Sequence, residues 1–258
     1  MLHALHRGDP AHPPLVLLHG GAANVHWWDP LAEALASRFH VVALDFRGHG
    51  DSDFPDALRV GAFSDDLEAL LADLGAPAPV LVGHSLGGRV ALEHAARRGG
   101  VRALVLLDVA RGAAKPVREA TRRALGIRRT YRTAEEAVAR FRFLPPAPGV
   151  SEERRREIAR RSVCALPGGR FAFKFDPRWF GVASRPLPPL ARVSCPTLVV
   201  RGSESTLLSD AGAHELASEI PGAELRVVEG AGHHVHLDSP EPVRSAVEAF
   251  LARACPGH

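Results

Sequence analysis

Cysteine is scarce in this sequence, and long apolar runs are absent from it. The three cysteines, Cys164, Cys195 and Cys255, are scattered and form no CxxC pair, which argues against a disulfide framework or a zinc site and favours a reducing compartment. No apolar run approaches the roughly 18 residues that a membrane helix needs. The N-terminal stretch has no basic head followed by an apolar segment, so a secretory signal is not expected. Together these absences predict a cytoplasmic protein with no membrane partner.

Features of nucleic-acid recognition are also missing, although the formal net charge is +3. Residues 112–190 contain 18 Lys and Arg residues against 7 Asp and Glu residues, so the positive charge is confined to one middle segment. Few aromatic residues are interleaved with it, and the sequence contains no RNP-like motif and no Cys/His finger. We therefore expect a solvated helical surface in this segment and no nucleic-acid partner.

The rest of the composition is that of an ordinary globular protein. Of the 258 residues, 46% are apolar and 24% are charged, which excludes disordered and collagen-like chains. A chain of this length can bury a sizeable core as one large domain, or as one domain with an insertion. No internal repeat or low-complexity tract interrupts it.

Short apolar runs alternate with helical stretches along the chain. The runs that predict strands buried on both faces are PLVLLHG (14–20), HVVALDF (40–46), PVLVGHS (79–85) and RALVLLDV (102–109), followed much later by PTLVVRG (196–202) and ELRVVEGAG (224–232). Helical spacing, with Asp or Ser near the start as a cap, is found in WDPLAEALASRF, FSDDLEALLADLG and SPEPVRSAVEAFLARA. This order predicts an α/β fold with a mostly parallel sheet and right-handed crossovers.

The segment 112–190 lacks the buried-strand pattern. Its sequence predicts helices around residues 114–126, 133–143 and 151–165, each broken by proline or glycine. The alternating FAFKF (171–175) predicts a packed extended segment. We interpret 112–190 as a helical cap inserted into a core made of residues 1–111 and 191–258.

Ser85 lies in Gly83-His84-Ser85-Leu86-Gly87, which matches G-x-S-x-G between a predicted strand and a predicted helix. A serine on such a sharp turn has a strained backbone, tolerated only where the residues two before and two after have almost no side chain. The turn exposes the hydroxyl at a helix N-terminus, where backbone N–H groups favour developing negative charge. Ser85 is therefore a candidate nucleophile. The alternative is a glycine-rich helix start with an incidental serine.

The motif GHSLGG, together with LLHGG (17–21) and LDFRGHGDS (44–52), resembles the α/β-hydrolase superfamily, specifically its small bacterial serine esterase-like members with a helical cap. The resemblance covers nearly the whole chain outside residues 112–190. It implies an α/β-hydrolase sheet of about seven strands flanked by helices, with room for one short antiparallel strand, LHALHRG, before PLVLLHG. It also assigns a structural role to the D-x-R-G-x-G-x-S loop at residues 45–52.

The resemblance further implies the groups that assist the nucleophile. In the family, the residue after His-Gly turns its backbone N–H toward the reacting carbonyl oxygen, which assigns that role to Gly21, with the N–H of Leu86 as second donor. The base follows the last strand, directly after the glycine of EGAGHH, which selects His233. His234 and His236 are then packing or supporting residues. A metal site at H-H-x-H is the alternative, but no further ligand is clearly arranged around it.

The family's third catalytic residue is a carboxylic acid that orients the base. At this residue the sequence departs from the family pattern. The family most often places it after the next-to-last strand, in a loop like G-x-x-D, but here RGSESTLLSD puts Ser205 at that position. Glu204 is one residue early, and Asp210 is expected in the following helix. Asp108 ends RALVLLD, the strand next to the serine's strand, and functional groups of parallel sheets gather at the carboxyl ends of strands. We favour Asp108 and leave open Glu204, or a site without a third member.

These residues predict acyl transfer to water on a small-molecule ester, with Ser85 as nucleophile, His233 as base and no cofactor or metal. We expect a carboxylesterase for small or medium, largely apolar esters, acting as a monomer or homodimer. A thioesterase, a lactonase or a carbon–carbon bond hydrolase would use the same residues. A ligand-binding, receptor-like protein without turnover is the alternative from another class. The aromatic residues expected to contact the substrate are Trp27, Trp28, Phe141, Phe143 and Trp179.

Overall fold

The computed structural model of the protein describes residues 1–75, 78–111 and 115–256. Its strands are β1 (His3–Arg7), β2 (Pro14–Leu18), β3 (His40–Asp45), β4 (Val80–His84), β5 (Ala103–Leu107), β6 (Val163–Leu166), β7 (Arg170–Phe173), β8 (Thr197–Gly202) and β9 (Glu224–Val228). Its α-helices are α1 (Asp29–Leu35), α2 (Ala62–Asp73), α3 (Leu86–Arg98), α4 (Lys115–Leu125), α5 (Ala134–Arg140), α6 (Glu152–Arg161), α7 (Asp210–Glu219), α8 (Val235–Asp238) and α9 (Pro240–Ala254). Short 3-10 turns span Val25–Trp28, Pro177–Gly181 and Leu190–Arg192.

The main sheet of the described chain has seven strands in the order β1-β3-β2-β4-β5-β8-β9. Only β1 is antiparallel to its neighbour; the other pairs are parallel. The prediction of a mostly parallel sheet of about seven strands flanked by helices is confirmed. The short N-terminal strand is antiparallel, as the sequence predicted, and it lies at the edge of the sheet.

Both faces of the sheet are buried, because alternate residues of each strand point to opposite sides. Leu15 and Leu17 of β2 lie in one apolar cluster with residues of α1 and α9. Val16 and Leu18 lie in another cluster with residues of α2 and α3. Each fully buried side chain of this size stabilises the fold by about 1.5–3 kcal/mol. Burial on both faces explains why these strands are continuous apolar runs in the sequence.

The connecting segment, defined here as residues 115–190, joins β5 to β8. It contains α4, α5, α6 and an antiparallel hairpin of β6 and β7. The helix predicted over 151–165 is wrong at its C-terminal end, because α6 ends at Arg161 and the next residues form β6. A β-branched residue, Val163, begins β6, and Gly168 and Gly169 at φ of 81° and 72° make the turn of the hairpin.

Other predictions for this part of the chain differ in outcome. The extended conformation predicted for FAFKF is found in β7, which includes its first three residues. The helix predicted over 133–143 ends earlier, because Phe141 is extended (φ −61°, ψ 132°) ahead of a proline-rich stretch. Residues 112–114, where the predicted cap boundary and the start of its first helix fall, lie outside the described residues, as do residues 257–258. The division into cap and core stays a prediction.

Hydrogen bonds attach the connecting segment to the loops at the carboxyl edge of the sheet. The Asp176 N–H donates to the Gly48 carbonyl (2.7 Å), in the loop that follows β3. The Gly149 N–H donates to Asp238 Oδ1 (3.0 Å), in the short helix that follows β9. The segment therefore covers the edge at which the predicted site residues lie.

The loop at residues 45–52 is held by buried charged groups. Asp45 is fully buried and accepts hydrogen bonds from the backbone N–H groups of Val25 (2.9 Å) and Asp51 (3.0 Å). The guanidinium of Arg47 donates to the carboxylate of Asp66, with Nε 2.7 Å from Oδ1. These contacts fix the chain where it leaves β3, in keeping with the structural role that the sequence assigned to the loop.

Across residues 1–75, 78–111 and 115–256, none of the helices combines the length and the apolar character required to cross a lipid bilayer. Cys164, Cys195 and Cys255 are all unpaired thiols. Burial raises the pKa of each of the three.

Candidate active site

Ser85 lies on the turn between β4 and α3 with φ 50° and ψ −110°. A non-glycine residue in this region of φ and ψ is strained by about 1–3 kcal/mol, and the surrounding structure must enforce it. The flanking glycines allow the close packing that does so. A Cβ on Gly83 would lie 2.5 Å from the backbone of Gly87, and one on Gly87 would lie 2.1 Å from the Leu18 carbonyl oxygen. The turn presents the hydroxyl at the N-terminus of α3.

Ser85, His233 and Asp108 form one hydrogen-bonded chain. The Ser85 hydroxyl lies 3.1 Å from His233 Nε2. On the other side of the ring, Nδ1 lies 2.7 Å from Asp108 Oδ1. An imidazole that donates from Nδ1 to a carboxylate has a free lone pair on Nε2, which can accept the serine proton. The structure thus brings together three residues that are distant in sequence.

Asp108 is the carboxylate of the described residues that lies within hydrogen-bonding distance of His233. It is fully buried directly after β5, with φ 47°. Its Oδ2 accepts from the Gly202 N–H (3.0 Å), and its Oδ1 accepts a second hydrogen bond from the Ser205 hydroxyl (2.6 Å). Glu204, the other sequence candidate, has an exposed side chain. Asp210 begins α7, in the helix where the sequence predicted it.

Ser205 was not expected to contribute to the site, since it cannot carry charge. Its hydroxyl donates to Asp108 and accepts hydrogen bonds from the N–H groups of Leu207 (3.3 Å) and Leu208 (3.1 Å). The sequence signal for this contact was the position of Ser205 in the loop that follows β8. Such a loop lies beside the end of the neighbouring parallel strand, here β5, which Asp108 follows. A serine at the place of the missing acid therefore binds the acid that is contributed by β5.

Gly21 and Leu86, the expected oxyanion donors, line the same cavity as Ser85 and His233. Leu86 is the first residue of α3, so its N–H belongs to the unpaired N-terminal turn of that helix. Gly21 follows β2 in the neighbouring loop. A Cβ on Gly21 would meet the ring of Phe180 at 3.2 Å, so there is little room for a larger residue here.

His19 fixes the loop that carries Gly21. Its Nε2 accepts from the Phe46 N–H (3.1 Å), so its Nδ1 carries the proton and donates to the Gly20 carbonyl (2.7 Å). Complete burial and, to a smaller extent, the nearby His49 lower the pKa of His19 to about 3. The ring is therefore neutral, as this hydrogen-bonding pattern requires. The sequence alone assigned no role to His19.

The remaining histidines at the site are buried and neutral. His84 Nε2 donates to the His233 carbonyl (2.9 Å), and His234 Nε2 donates to the Pro145 carbonyl (2.9 Å). His236 stacks on Trp28 with ring centroids 4.6 Å apart. Burial lowers the pKa of His236 to about 3, and it holds the pKa values of His84 and His234 well below the usual value. All three support the loop that positions His233.

A cavity of about 590 Å³ opens over the Ser85 hydroxyl. Trp179, one of the predicted contact residues, lines it together with Phe180 and Phe63. A smaller cavity of about 260 Å³ is lined by two further predicted residues, Trp27 and Phe141. Gly21 lies in the walls of both cavities.

Two of the predicted contact residues line neither cavity. Trp28 is fully buried in the cluster between the sheet and α9, because the 3-10 turn Val25–Trp28 points it away from Trp27. Phe143 packs edge-on against Trp27 and Phe141, with ring centroids 5.3 Å and 5.2 Å away. The expectation that these two side chains contact the substrate does not fit their positions.

Charged residues in the wall of the Ser85 cavity were missed by the sequence analysis. Four arginines and two glutamates line it: Arg59, Arg89, Arg122, Arg185, Glu93 and Glu119. Sequence spacing could have pointed to Arg89, which lies four residues after Ser85 and therefore on the same face of α3. The others come from separate parts of the chain, and only the fold brings them together.

A model of the alpha/beta hydrolase family matches residues 15–246. An sn-1-specific diacylglycerol lipase from Mus musculus is 30% identical over 266 residues, which cover 95% of this chain and 83% of the relative. A pimeloyl-[acyl-carrier protein] methyl ester esterase from Xanthomonas campestris is 32% identical, over 93% of this chain and 95% of the relative. Among solved structures, E-2-(acetamidomethylene)succinate hydrolase superposes with a TM-score of 0.82 at 27% identity, over 97% of this chain and 94% of that chain.

Proposed function

The chain belongs to the alpha/beta hydrolase family and is a hydrolase, and from that premise we propose that it cleaves carboxylic esters through an acyl-enzyme on Ser85. The observation that carries this proposal is the hydrogen-bonded chain from Asp108 through His233 to the Ser85 hydroxyl. The hydroxyl opens into a cavity large enough for a small or medium ester. Two of the relatives are a lipase and a methyl ester esterase by name, which supports an ester over other bonds.

In the first half of the reaction, Ser85 Oγ attacks the ester carbonyl while His233 Nε2 takes the hydroxyl proton. Asp108 accepts a hydrogen bond from Nδ1, so it orients the ring and stabilises the imidazolium as it forms. His233 then gives the proton to the leaving alcohol, and the ester C–O bond breaks. An acyl group remains on Ser85.

In the second half, water attacks the acyl-enzyme. His233 accepts a proton from the water and returns one to Ser85 Oγ as the acid leaves. Both tetrahedral intermediates carry an oxyanion, for which the N–H groups of Gly21 and Leu86 are the proposed donors. Losing one such donor typically costs about 3 kcal/mol of transition-state stabilisation. Every step transfers either a proton or an acyl group, so the proposal requires no cofactor.

The aromatic residues in the cavity walls support a partly apolar substrate. Trp179 and Phe180 line the cavity over Ser85, and Trp27 and Phe141 line the smaller one beyond Gly21. Because Gly21 lies in the walls of both spaces, we assign one of them to the acyl part of the ester and the other to the alcohol part. A cytoplasmic location and a small-molecule substrate, with no nucleic-acid or membrane partner, belong to the same proposal.

The test is covalent labelling followed by substrate comparison. A fluorophosphonate probe should label the wild-type protein at Ser85, should not label Ser85→Ala, and should label Ser218→Ala, an exposed serine on α7. Fluorophosphonates phosphonylate only an activated serine, so an unlabelled wild-type protein would contradict the proposal and favour a receptor-like protein. A panel of p-nitrophenyl esters, thioesters and lactones then ranks the bonds. A kcat/KM for thioesters or lactones well above that for every ester would replace the ester assignment.

A further inference from the structure

We propose that the Ser85 cavity binds esters that carry a carboxylate a few carbons from the ester carbonyl, and that Arg89 is the residue that binds this carboxylate. The proposal rests on the proposed function, because it takes Ser85 as the site of ester cleavage. It adds the chemical class of the substrate and a residue that determines specificity.

Arg89 lies in the first turn of α3, and Ser85 immediately precedes that helix. The Arg89 N–H donates to the Ser85 carbonyl (3.0 Å), so the two residues are one helical turn apart. Side chains on a helix lean toward its N-terminus, which here is the end that carries Ser85. Both residues line the same cavity.

The other cavity arginines are occupied by groups of the protein. Arg185 Nη1 lies 3.2 Å from Glu93 Oε1, which also accepts from Arg97 Nε (3.1 Å). Arg59 pairs with the carboxylate of Asp65 (2.5 Å). The Arg122 Nε–H donates to the Phe180 carbonyl. The negative charge of Glu93, the nearest carboxylate along the helix, is therefore shared by two other guanidinium groups.

Arg89 differs from Arg59 and Arg185 because none of the Asp and Glu side chains in the described part of the chain forms an ion pair with it. It differs from Arg122 because Arg122 is exposed. The Arg89 Nη2 donates to the Arg185 carbonyl.

The side chain of Arg89 is partly buried, and this burial lowers the pKa of its guanidinium. Glu93 counteracts this shift electrostatically, but its carboxylate is bonded to Arg97 and Arg185. Partial desolvation of a cation that has no ion-pair partner of its own is unfavourable, so an anionic ligand is stabilised at this position. The cavity histidines His84 and His234 are neutral, so they supply no positive charge that would bind the anion in place of Arg89.

A carboxylate fits this position better than a neutral polar group. A guanidinium presents parallel N–H donors that match the two oxygens of a carboxylate. Because Ser85 and Arg89 line the same cavity of about 590 Å³, an acyl chain of a few carbons, from succinate to adipate, fits between the two. The predicted substrates are therefore half-esters of short dicarboxylic acids.

Binding is tested separately from turnover in the Ser85→Ala background. Isothermal titration calorimetry compares monomethyl glutarate with dimethyl glutarate, which differ only in whether the second carboxyl is charged. We expect the half-ester to bind at least about tenfold more tightly, and the additional Arg89→Gln substitution to abolish this preference. Arg98→Gln is the matched control, because Arg98 lies on the same helix, is exposed, and pairs with Glu68 outside the cavity. Equal binding of the two esters, or a preference that survives Arg89→Gln, overturns the proposal.

Turnover is tested with the active enzyme and the same two esters. Arg89→Gln should lower the ratio of kcat/KM for half-ester over diester about tenfold, mainly through KM, and Arg89→Lys should restore part of it. Arg98→Gln should leave the ratio at the wild-type value. Hydrolysis of both esters with an unchanged ratio in Arg89→Gln would overturn the anion site and leave the ester hydrolase standing. If the half-ester binds through Arg89 but the protein hydrolyses neither ester, the anion site would stand and the ester hydrolase would be contradicted.

Discussion

Ser205 and His233 donate hydrogen bonds to the same oxygen of Asp108, at 2.6 Å and 2.7 Å. The Gly202 N–H donates to the other oxygen (3.0 Å). The carboxylate is fully buried, so its orientation depends on these three donors. Ser205 stands where the family resemblance led us to expect the acid, and its hydroxyl binds Asp108, which follows β5. We therefore infer that Ser205 is a positioning residue that acts through Asp108.

We predict that Ser205→Ala lowers kcat about tenfold, because Asp108 loses one donor and orients His233 less firmly. The loss of a hydrogen bond to a charged group corresponds to about 1.5–3 kcal/mol. KM for a p-nitrophenyl ester should change little, since Ser205 does not line the cavity over Ser85. Ser205→Thr keeps the hydroxyl and should recover most of kcat. Failure of threonine to recover more activity than alanine would contradict the positioning role.

The identity of the acid gives a second prediction. Asp108→Asn should lower kcat by about four orders of magnitude, because an amide can hold His233 in the wrong tautomer and cannot stabilise the imidazolium. Glu204→Gln should leave kcat close to the wild-type value, since the Glu204 side chain is exposed. Steady-state kinetics on one ester ranks the two variants. The reverse ranking would remove Asp108 from the site.

The buried histidines predict a loss of stability in mild acid. Burial lowers the pKa of His19 and His236 from 6.5 to about 3, and that of His49 to about 4. His84 and His234 shift in the same direction. Below pH 6.5 the unfolded chain binds protons at these residues and the folded chain does not, so the free energy of unfolding falls as pH falls from 6.5 toward the folded pKa values. Each histidine contributes about 1.4 kcal/mol to this fall by one pH unit below 6.5.

Urea denaturation between pH 7.5 and 5.5 measures this slope. His236→Phe keeps the stacking on Trp28 and removes one titrating ring, so it should reduce the total loss of stability between pH 7.5 and 5.5 by about 1.4 kcal/mol. His214→Gln, at an exposed position on α7, is the control. Burial raises the pKa of Asp45 and Asp238, which makes the free energy of unfolding rise as pH falls. Their ordinary pKa is 3.8, so this opposing effect lies mainly below pH 5.5. A stability that is constant from pH 7.5 to 5.5 would contradict the neutral, buried state of these histidines.

The fold was largely predictable because the strands of its sheet are buried on both faces. Mostly apolar runs such as Val80–His84 and Ala103–Leu107 are typical of strands that are covered on both faces, and every residue of these two strands is buried. The hairpin of β6 and β7 was less visible, because its residues are only partly buried and its strands are four residues each. The choice between helix and strand near Val163 depends on pairing with a later segment, which local spacing does not encode.

The candidate site was predictable where a local motif fixes the geometry. The glycines around Ser85 and the loop that carries His233 are such motifs. For the acid, the sequence could only indicate carboxylates that follow the ends of strands. The choice among them depends on which carboxylate the fold places beside the imidazole of His233. Trp28 shows the limit of prediction. It is adjacent to Trp27, yet Trp28 is buried in the core whereas Trp27 lines a cavity, and no local pattern specifies this difference.

The last prediction concerns the turn itself, because the glycines of the motif are required by close contacts. A Cβ on Gly87 would lie 2.1 Å from the Leu18 carbonyl oxygen, a backbone atom of β2 that cannot move without displacing the sheet. We expect Gly87→Ala to lower the free energy of unfolding by about 3 kcal/mol or more, toward or beyond the upper end for overpacked sites. Gly181→Ala is the matched control, because nothing lies within 4 Å of a Cβ built at Gly181. Urea denaturation of both variants measures the difference. Equal stability would mean that α3 can move away from β2, and the strained Ser85 turn would then lack the constraint that holds its hydroxyl toward His233.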